Sequence, residues 1–255
     1  MGQARVIKER GVRRDELLDV AQQLFAEKGY EATPVNAIID RAGVSKGTFY
    51  HYFPSKEELL DCLVGRTTDG VLLVARKAAA SVTTGAAAKL SAFFLAASRW
   101  KAANREAVVA LTSALFRDEN ILLRYKGTRR WLEAAVADMA GIIREGVAEG
   151  VFSACDPEET AQLILQLAVA MRESLAGLLL RLDEDPGVWP LLERRMRSYQ
   201  LATERILGAP AGSIMLMDEE TLNMLKGTKR ARVRHEAARS AQTTLWPMPE
   251  GKGEE

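Results

Sequence analysis

Between positions 46 and 51 the chain sets Lys46, Gly47, Thr48, Tyr50 and His51: a cation, a glycine, and hydroxyl and imidazole donors. Groups of this kind suit phosphate contacts and the reading of base edges. Two rings decide which way they face. Phe49 and Phe53 stand at i and i+4, so in a helix both lie on one side. Burying them turns the five polar positions outward together. Gly47 lets a partner approach the backbone closely, and the free N–H groups at the start of the same helix favour phosphate.

Short elements around this helix must hold it. Ser45 is placed to cap it, and Pro54 stops it. Gly43 takes the left-handed conformation that reverses the chain, and Val44 plugs the corner. Before the turn, Val35, Ile38, Ile39 and Ala42 form an apolar stripe at helical spacing. Thr33-Pro34 reads as its N-cap and first helical position. An earlier stripe, Leu17, Leu18, Ala21, Leu24 and Phe25, starts after Asp15 and ends at Gly29. After Pro54, Ser55 and Glu58 make a capping box for a helix carrying Leu59, Leu60, Leu63 and Val64 to about Ala80. The whole is a helix-turn-helix outline. A plain three-helix scaffold with a polar face has the same outline.

The stretch Gly29-Tyr-Glu-Ala-Thr33, followed by Ala42-Gly-Val-Ser-Lys-Gly-Thr-Phe-Tyr-His-Tyr-Phe-Pro-Ser-Lys-Glu-Glu-Leu59, resembles the TetR-type (tetracycline-repressor-like) transcriptional regulators. The close match runs from about Leu17 to Leu60. A looser one recurs at Ile142–Gly146, Glu149–Phe152 and Asp156–Glu158. The resemblance implies a homodimer whose subunits each pair a DNA-binding head with a larger ligand-binding domain. It implies a repressor of near-palindromic double-stranded operators, released by a small-molecule effector. Lys46, Thr48, Tyr50 and His51 match the recognition helix, Lys56 a phosphate contact on the fourth helix, and Asn36 a contact on the second. Thr33, Ser45, Gly47 and Tyr52 complete the expected DNA-facing set. Three positions depart from the family pattern: Pro34 replaces a Ser or Thr cap, Ile39 a small residue, and Asn36 a frequent Arg. The competing reading of the motif is a protein–protein adaptor that uses the same outline without DNA.

Beyond the head, helical patterns cover 86–103, 106–116, 120–149, 157–182 and 188–207. No segment alternates with period two, and aromatic residues are 6% of the chain, so the fold class is all-α. We expect a flexible basic arm over 1–14, the head over 15–60, a ligand-binding and dimerisation domain over 61–210, and a partly disordered extension over 211–255. The arm holds Arg5, Lys8, Arg10, Arg13 and Arg14 against Glu9. In the extension, Met215, Leu216, Leu222, Met224 and Leu225 suit a short docked helix. The basic run 226–239 suits holding the acids at 218–220. The helices over 160–182 and 188–207 suit an intermolecular four-helix bundle.

Phe93, Trp100, Phe116 and Trp131 lie on helices that would surround a ligand pocket, although for any one of them ordinary core is the better reading. Few polar groups cluster there, which favours a largely apolar effector. Formal net charge is +1, so overall charge selects no partner. With two histidines, and no HExxH, G-x-S-x-G or Walker A motif, no enzyme class is indicated. Cys62 and Cys155 fit neither a disulfide framework nor a metal spacing. No metal or cofactor is expected. The apolar run 161–171 stops at Arg172-Glu173, short of a membrane span, and no leader is read at the start, so a cytoplasmic protein is expected.

Overall fold

The computed structural model describes residues 2–226 except 183 and 186, with side chains from 12 to 225. Among the described residues there is no strand. The helices are α1 (Gly2–Lys28), α2 (Val35–Ala42), α3 (Lys46–Tyr52), α4 (Lys56–Ala80), α5 (Ala86–Ala103), α6 (Arg105–Leu115), α7 (Ile121–Ala148), α8 (Pro157–Leu179), α9 (Val188–Ile206) and α10 (Glu219–Lys226). A 3-10 turn, Asp118–Asn120, leads into α7.

Local chemistry sets most of these boundaries. The Ser55 hydroxyl accepts the Glu58 N–H at 3.2 Å and opens α4. Asp156 accepts the N–H groups of Glu158 and Glu159, both at 3.0 Å, and Pro157 follows at the first position of α8. α1 departs from expectation. It begins at Gly2, so residues 2–14 continue the helix of the apolar stripe instead of forming a flexible arm. Arg, a good helix former, supplies four of the residues from 2 to 14, and no proline precedes Pro34.

Two apolar cores hold the molecule together. The first gathers Leu17, Leu24 and Phe25 of α1, Ile38 and Ile39 of α2, Phe49 and Phe53, and Leu59, Leu60 and Leu63 of α4. Ile39 is 8% exposed, so the larger residue at this position fits within the core. Leu111 and Ala114 of α6 belong to the same core, so a later helix closes the head. The second core joins Leu72, Ala75 and Ala79 of α4 to α5, α7, α8 and Tyr199 of α9. α4 is therefore common to both, over 25 residues and about 37 Å at 1.5 Å per residue.

The segment after α9 is also ordered as far as it is described. Ile214 and Leu216 are buried in the second core. The buried Glu204 carboxylate accepts the N–H groups of Gly212 at 2.9 Å and Ile214 at 3.1 Å. Ser98 donates to the Leu216 carbonyl at 2.9 Å. Arg99 pairs with Asp218 and with Glu220 at 3.1 Å, so α5 takes two of the acids expected to meet the basic run. The short helix expected around Leu222–Leu225 is α10. The basic run beyond 226 lies outside the described residues.

Candidate functional site

The turn between α2 and α3 is built as its residues require. Gly43 has φ +64°, which an L side chain rarely adopts. Val44 packs half-buried against the head core. The Ser45 hydroxyl accepts the Thr48 N–H at 3.1 Å and lies 2.8 Å from the Thr48 hydroxyl. Phe49 and Phe53 are 0% and 1% exposed, and this burial points the rest of α3 outward.

Asn36, Ser45, Lys46, Gly47, Tyr50 and His51 are exposed, and Thr48, Tyr52 and Lys56 are half-buried. Tyr52 packs partly against the head core, and the His51 ring meets it edge-on at 5.0 Å. Lys46 Nζ stands 6.0 Å from the Tyr50 ring centroid. A Cβ built on Gly47 would touch nothing closer than Ser45 Oγ at 3.8 Å. Nothing within the chain requires glycine there, so any demand for close approach comes from outside.

Thr33 is a correction. It is 0% exposed, and its hydroxyl donates to the Gly29 carbonyl at 2.8 Å, with the Leu24 carbonyl at 3.3 Å. It ties down the end of α1 and cannot reach a DNA surface. It does not cap α2 either: Pro34 occupies the cap position with no side-chain bond. Pro34 satisfies that end another way, because its missing N–H leaves one fewer donor to pair.

Lys56 lies 4.0 Å over the Tyr30 ring, and burial lowers its pKa. The ring fixes the ammonium beside α3 at the start of α4. Behind the head, Arg14 donates to Cys62 Sγ at 3.0 Å and stacks over Phe53 at 5.5 Å.

The larger domain encloses a cavity of about 250 Å³. Phe93, Phe116 and Trp131 line it, together with Val71, Leu72, Ala75 and Leu165. Trp100 does not line it. Its ring packs on α4 at Gly70, where an added Cβ would come within 3.2 Å of it, and that glycine lets the two helices close together.

Sequence reasoning missed the polar part of this wall: Lys101 of α5, Arg124 and Thr128 of α7, and Arg172 of α8. Lys101 keeps accessible surface, but it lies on the cavity wall. Burial, and secondarily the Arg172 charge, lowers its pKa to about 8. Burial also lowers the pKa of Arg172, whose guanidinium donates to the Thr128 hydroxyl at 2.5 Å. The available signal was Arg172 itself, a charge inside an apolar helical run.

α8 has a second unusual property. By length and composition it could cross a membrane, and 28% of its most apolar window is buried within the protomer. That window runs through Arg172 and Glu173, and the uncharged apolar run within it ends at residue 171. Leu163 on its outer side is 56% exposed, and Gln162, Gln166, Ala170, Ser174 and Gly177 are exposed too.

Comparison with known proteins agrees with this architecture. Residues 17–63 match the profile described as bacterial regulatory proteins, tetR family. Residues 86–174 match the tetracyclin repressor-like C-terminal domain. The chain is 48% identical over 60 residues to the HTH-type transcriptional repressor KstR2 of Mycobacterium tuberculosis, which is 24% of this chain and 30% of that protein. It is 39% identical over 74 residues to the HTH-type transcriptional activator FasR of Mycolicibacterium smegmatis, 29% of this chain and 34% of that protein. These matches therefore span only about a third or less of the relatives' own length. A solved TetR-family regulator from Pectobacterium atrosepticum shares the fold over 82% of this chain and 100% of its own, with TM-score 0.58 and 20% identity. A transcriptional regulator from Cytophaga hutchinsonii gives TM-score 0.57 at 21% identity, covering 75% of this chain and 95% of its own. With one profile on the head, a second on the larger domain and the fold shared across both, the chain belongs to the TetR family of bacterial regulatory proteins.

Proposed function

We propose that this protein is a cytoplasmic, dimeric, sequence-specific DNA-binding regulator that represses transcription until a small molecule occupies the cavity of the larger domain. The observation that carries the reading is α3. Two buried phenylalanines and a capped, glycine-turned start present Lys46, Gly47, Tyr50 and His51 on one exposed face. Lys56, braced on Tyr30, adds a phosphate contact that is independent of base sequence.

Dimerisation has its own support. α8 leaves an outer side with Leu163 exposed among Gln162 and Gln166 and with small residues at 170, 174 and 177, which allow another helix to approach closely. The occupant we assign is a second copy, through α8 and α9, because α8 is long and weakly charged and only 28% of its most apolar window is buried within one chain. Two heads would then meet successive major grooves. Release by a ligand is supported by two helices that link the head core to the larger domain. α4 is shared along its length, and Leu111 of α6 lies in the head core and on the cavity wall. Coupling of about 1–3 kcal/mol between the sites would change operator affinity about 5- to 150-fold.

The sign of regulation has two supports. The KstR2 relative is a repressor and FasR an activator, and both resemble the head. Repression is the reading taken here, and a reporter placed behind the bound site distinguishes the two.

The test is selection of genomic fragments by the full-length protein. A near-palindromic site with half-site centres about 10 base pairs or a multiple apart is expected. Equal retention of all fragments would end the sequence-specific reading. A monomer in sedimentation at micromolar concentration would end the dimeric one.

A further inference from the structure

The wall of the cavity is chemically one-sided. Along α5, Lys101 lies eight residues, about 12 Å, beyond Phe93. Along α8, Arg172 lies seven residues, about 10 Å, beyond Leu165. Phe93 and Leu165 share one apolar cluster, and Lys101 and Arg172 are near enough for the charge of one to depress the other. Both helices therefore run from a greasy end to a cationic end of the same cavity. α7 follows the same polarity, with Trp131 at the apolar part and Thr128 bonded to Arg172.

The cationic end is under-compensated. No aspartate or glutamate lines the cavity among the described residues. Lys101 has no hydrogen-bond or ion-pair partner among them, and Arg172 Nε is buried without an acceptor. Arg124 is different: Glu173 stands 4.0 Å away, and its guanidinium lies 4.7 Å over the Phe116 ring. A buried guanidinium N–H without an acceptor is costly, and a ligand anion offsets that cost by accepting charge-assisted hydrogen bonds from Arg172 and from the accessible Lys101 beside it.

We propose that the cavity takes an amphipathic anion, its carboxylate or phosphate head held by Lys101 and Arg172 beside Thr128, and its hydrocarbon body among Phe93, Leu165 and Trp131. This rests on the reading of the cavity as the effector site, and it replaces the expected largely apolar effector with a charged one.

Four ten-carbon probes test it on the full-length protein by calorimetry at pH 7: decanoate, decyl phosphate, decan-1-ol and decyltrimethylammonium. One or both anions should bind about tenfold or more tightly than the alcohol, and the ammonium least. Decanoate against decyl phosphate identifies the preferred head. Lys101→Met and Arg172→Met should each remove the anion's advantage while keeping affinity for decan-1-ol, which also shows that the variants are folded. Alcohol binding as tight as both anions would overturn the proposal and leave the cavity as an apolar effector site. If no probe binds while the protein still retains its selected DNA fragment, the proposal and the cavity reading fall together and the DNA reading stands. An anion that binds through Lys101 and Arg172 but leaves DNA affinity unchanged would support the anion site and overturn only its role as effector site.

Discussion

The head and the larger domain use the same kinds of helix to opposite ends. In the head, bulky side chains fill the core completely: Leu17, Leu24, Phe25, Ile38, Phe49 and Phe53 are all 2% exposed or less. Its polar chemistry is on the outside. In the larger domain, alanines and a few large rings surround a cavity of about 250 Å³, and the polar chemistry faces inward. A filled core fixes a surface for a partner of constant shape. A core with a hole in it keeps a small molecule's shape as an internal surface, at some cost in packing.

The largest expected effect compares one substitution in both places. Phe49→Ala leaves a new void in a filled core and should cost about 3–5 kcal/mol, with loss of DNA binding. Phe93→Ala only enlarges an existing cavity and should cost less. Denaturant unfolding of both variants checks this, and equal losses would break the comparison.

A pair of glycines sharpens it at the next level. An added Cβ at Gly146 would come within 2.0 Å of the Phe152 ring, so Gly146→Ala should destabilise by about 1–3 kcal/mol through overpacking. Gly47→Ala should leave the melting temperature unchanged or slightly raised and weaken DNA binding. A Gly47 variant with full DNA affinity would show that no partner backbone comes close to α3.

pH gives a third contrast. Lys101 has a folded pKa of about 8, below its ordinary 10.5. The unfolded chain therefore holds a proton there that the folded chain releases, and stability contributed by this site rises with pH from about 8 to 10.5. The other groups facing the site are Arg172 and Arg124, with Glu173 against Arg124, and Tyr199, whose pKa burial raises. Lys101→Met should flatten that rise in a series of denaturant titrations. Affinity for an anionic ligand should change in the opposite sense, falling as pH passes 8, because the ammonium is lost.

The smallest effect is Lys56→Ala. It should weaken binding to every DNA sequence alike and lower the slope of log affinity against log salt by about one unit. A loss confined to the cognate site would turn Lys56 from a positioning contact into a reading one.

These differences explain what the sequence made legible. The head could be read almost residue by residue, because its determinants are local. Gly43, Ser45, Phe49 and Phe53 act within a few positions of each other, and each behaves as its type requires. Thr33 misled for an equally physical reason. A threonine caps a helix from the residue just before it, but α2 starts at Val35, so Pro34 holds the cap position, Thr33 stands one residue too early, and its hydroxyl donates to the end of α1 instead. The cavity of the larger domain was far less legible. Lys101, Thr128 and Arg172 are distant in sequence and meet only through the packing of α5, α7 and α8. No spacing announces them. The part played by α6 in the head was hidden the same way, since Leu111 follows its own helix's pattern whatever it packs against.

That placement of α6 bears on how such proteins can be recombined. A boundary drawn near residue 60 divides the chain but not the core, because Leu111 and Ala114 cover the head from well beyond it. Arg117, two residues past α6, adds an ion pair at 3.2 Å to Glu31 of the head. A head transplanted onto another body without a matching α6 would carry an uncovered apolar face, and a body given a foreign head would present Leu111 to side chains it was not shaped against. Modularity here belongs to the surface between the domains, and a working chimera must exchange both sides of it.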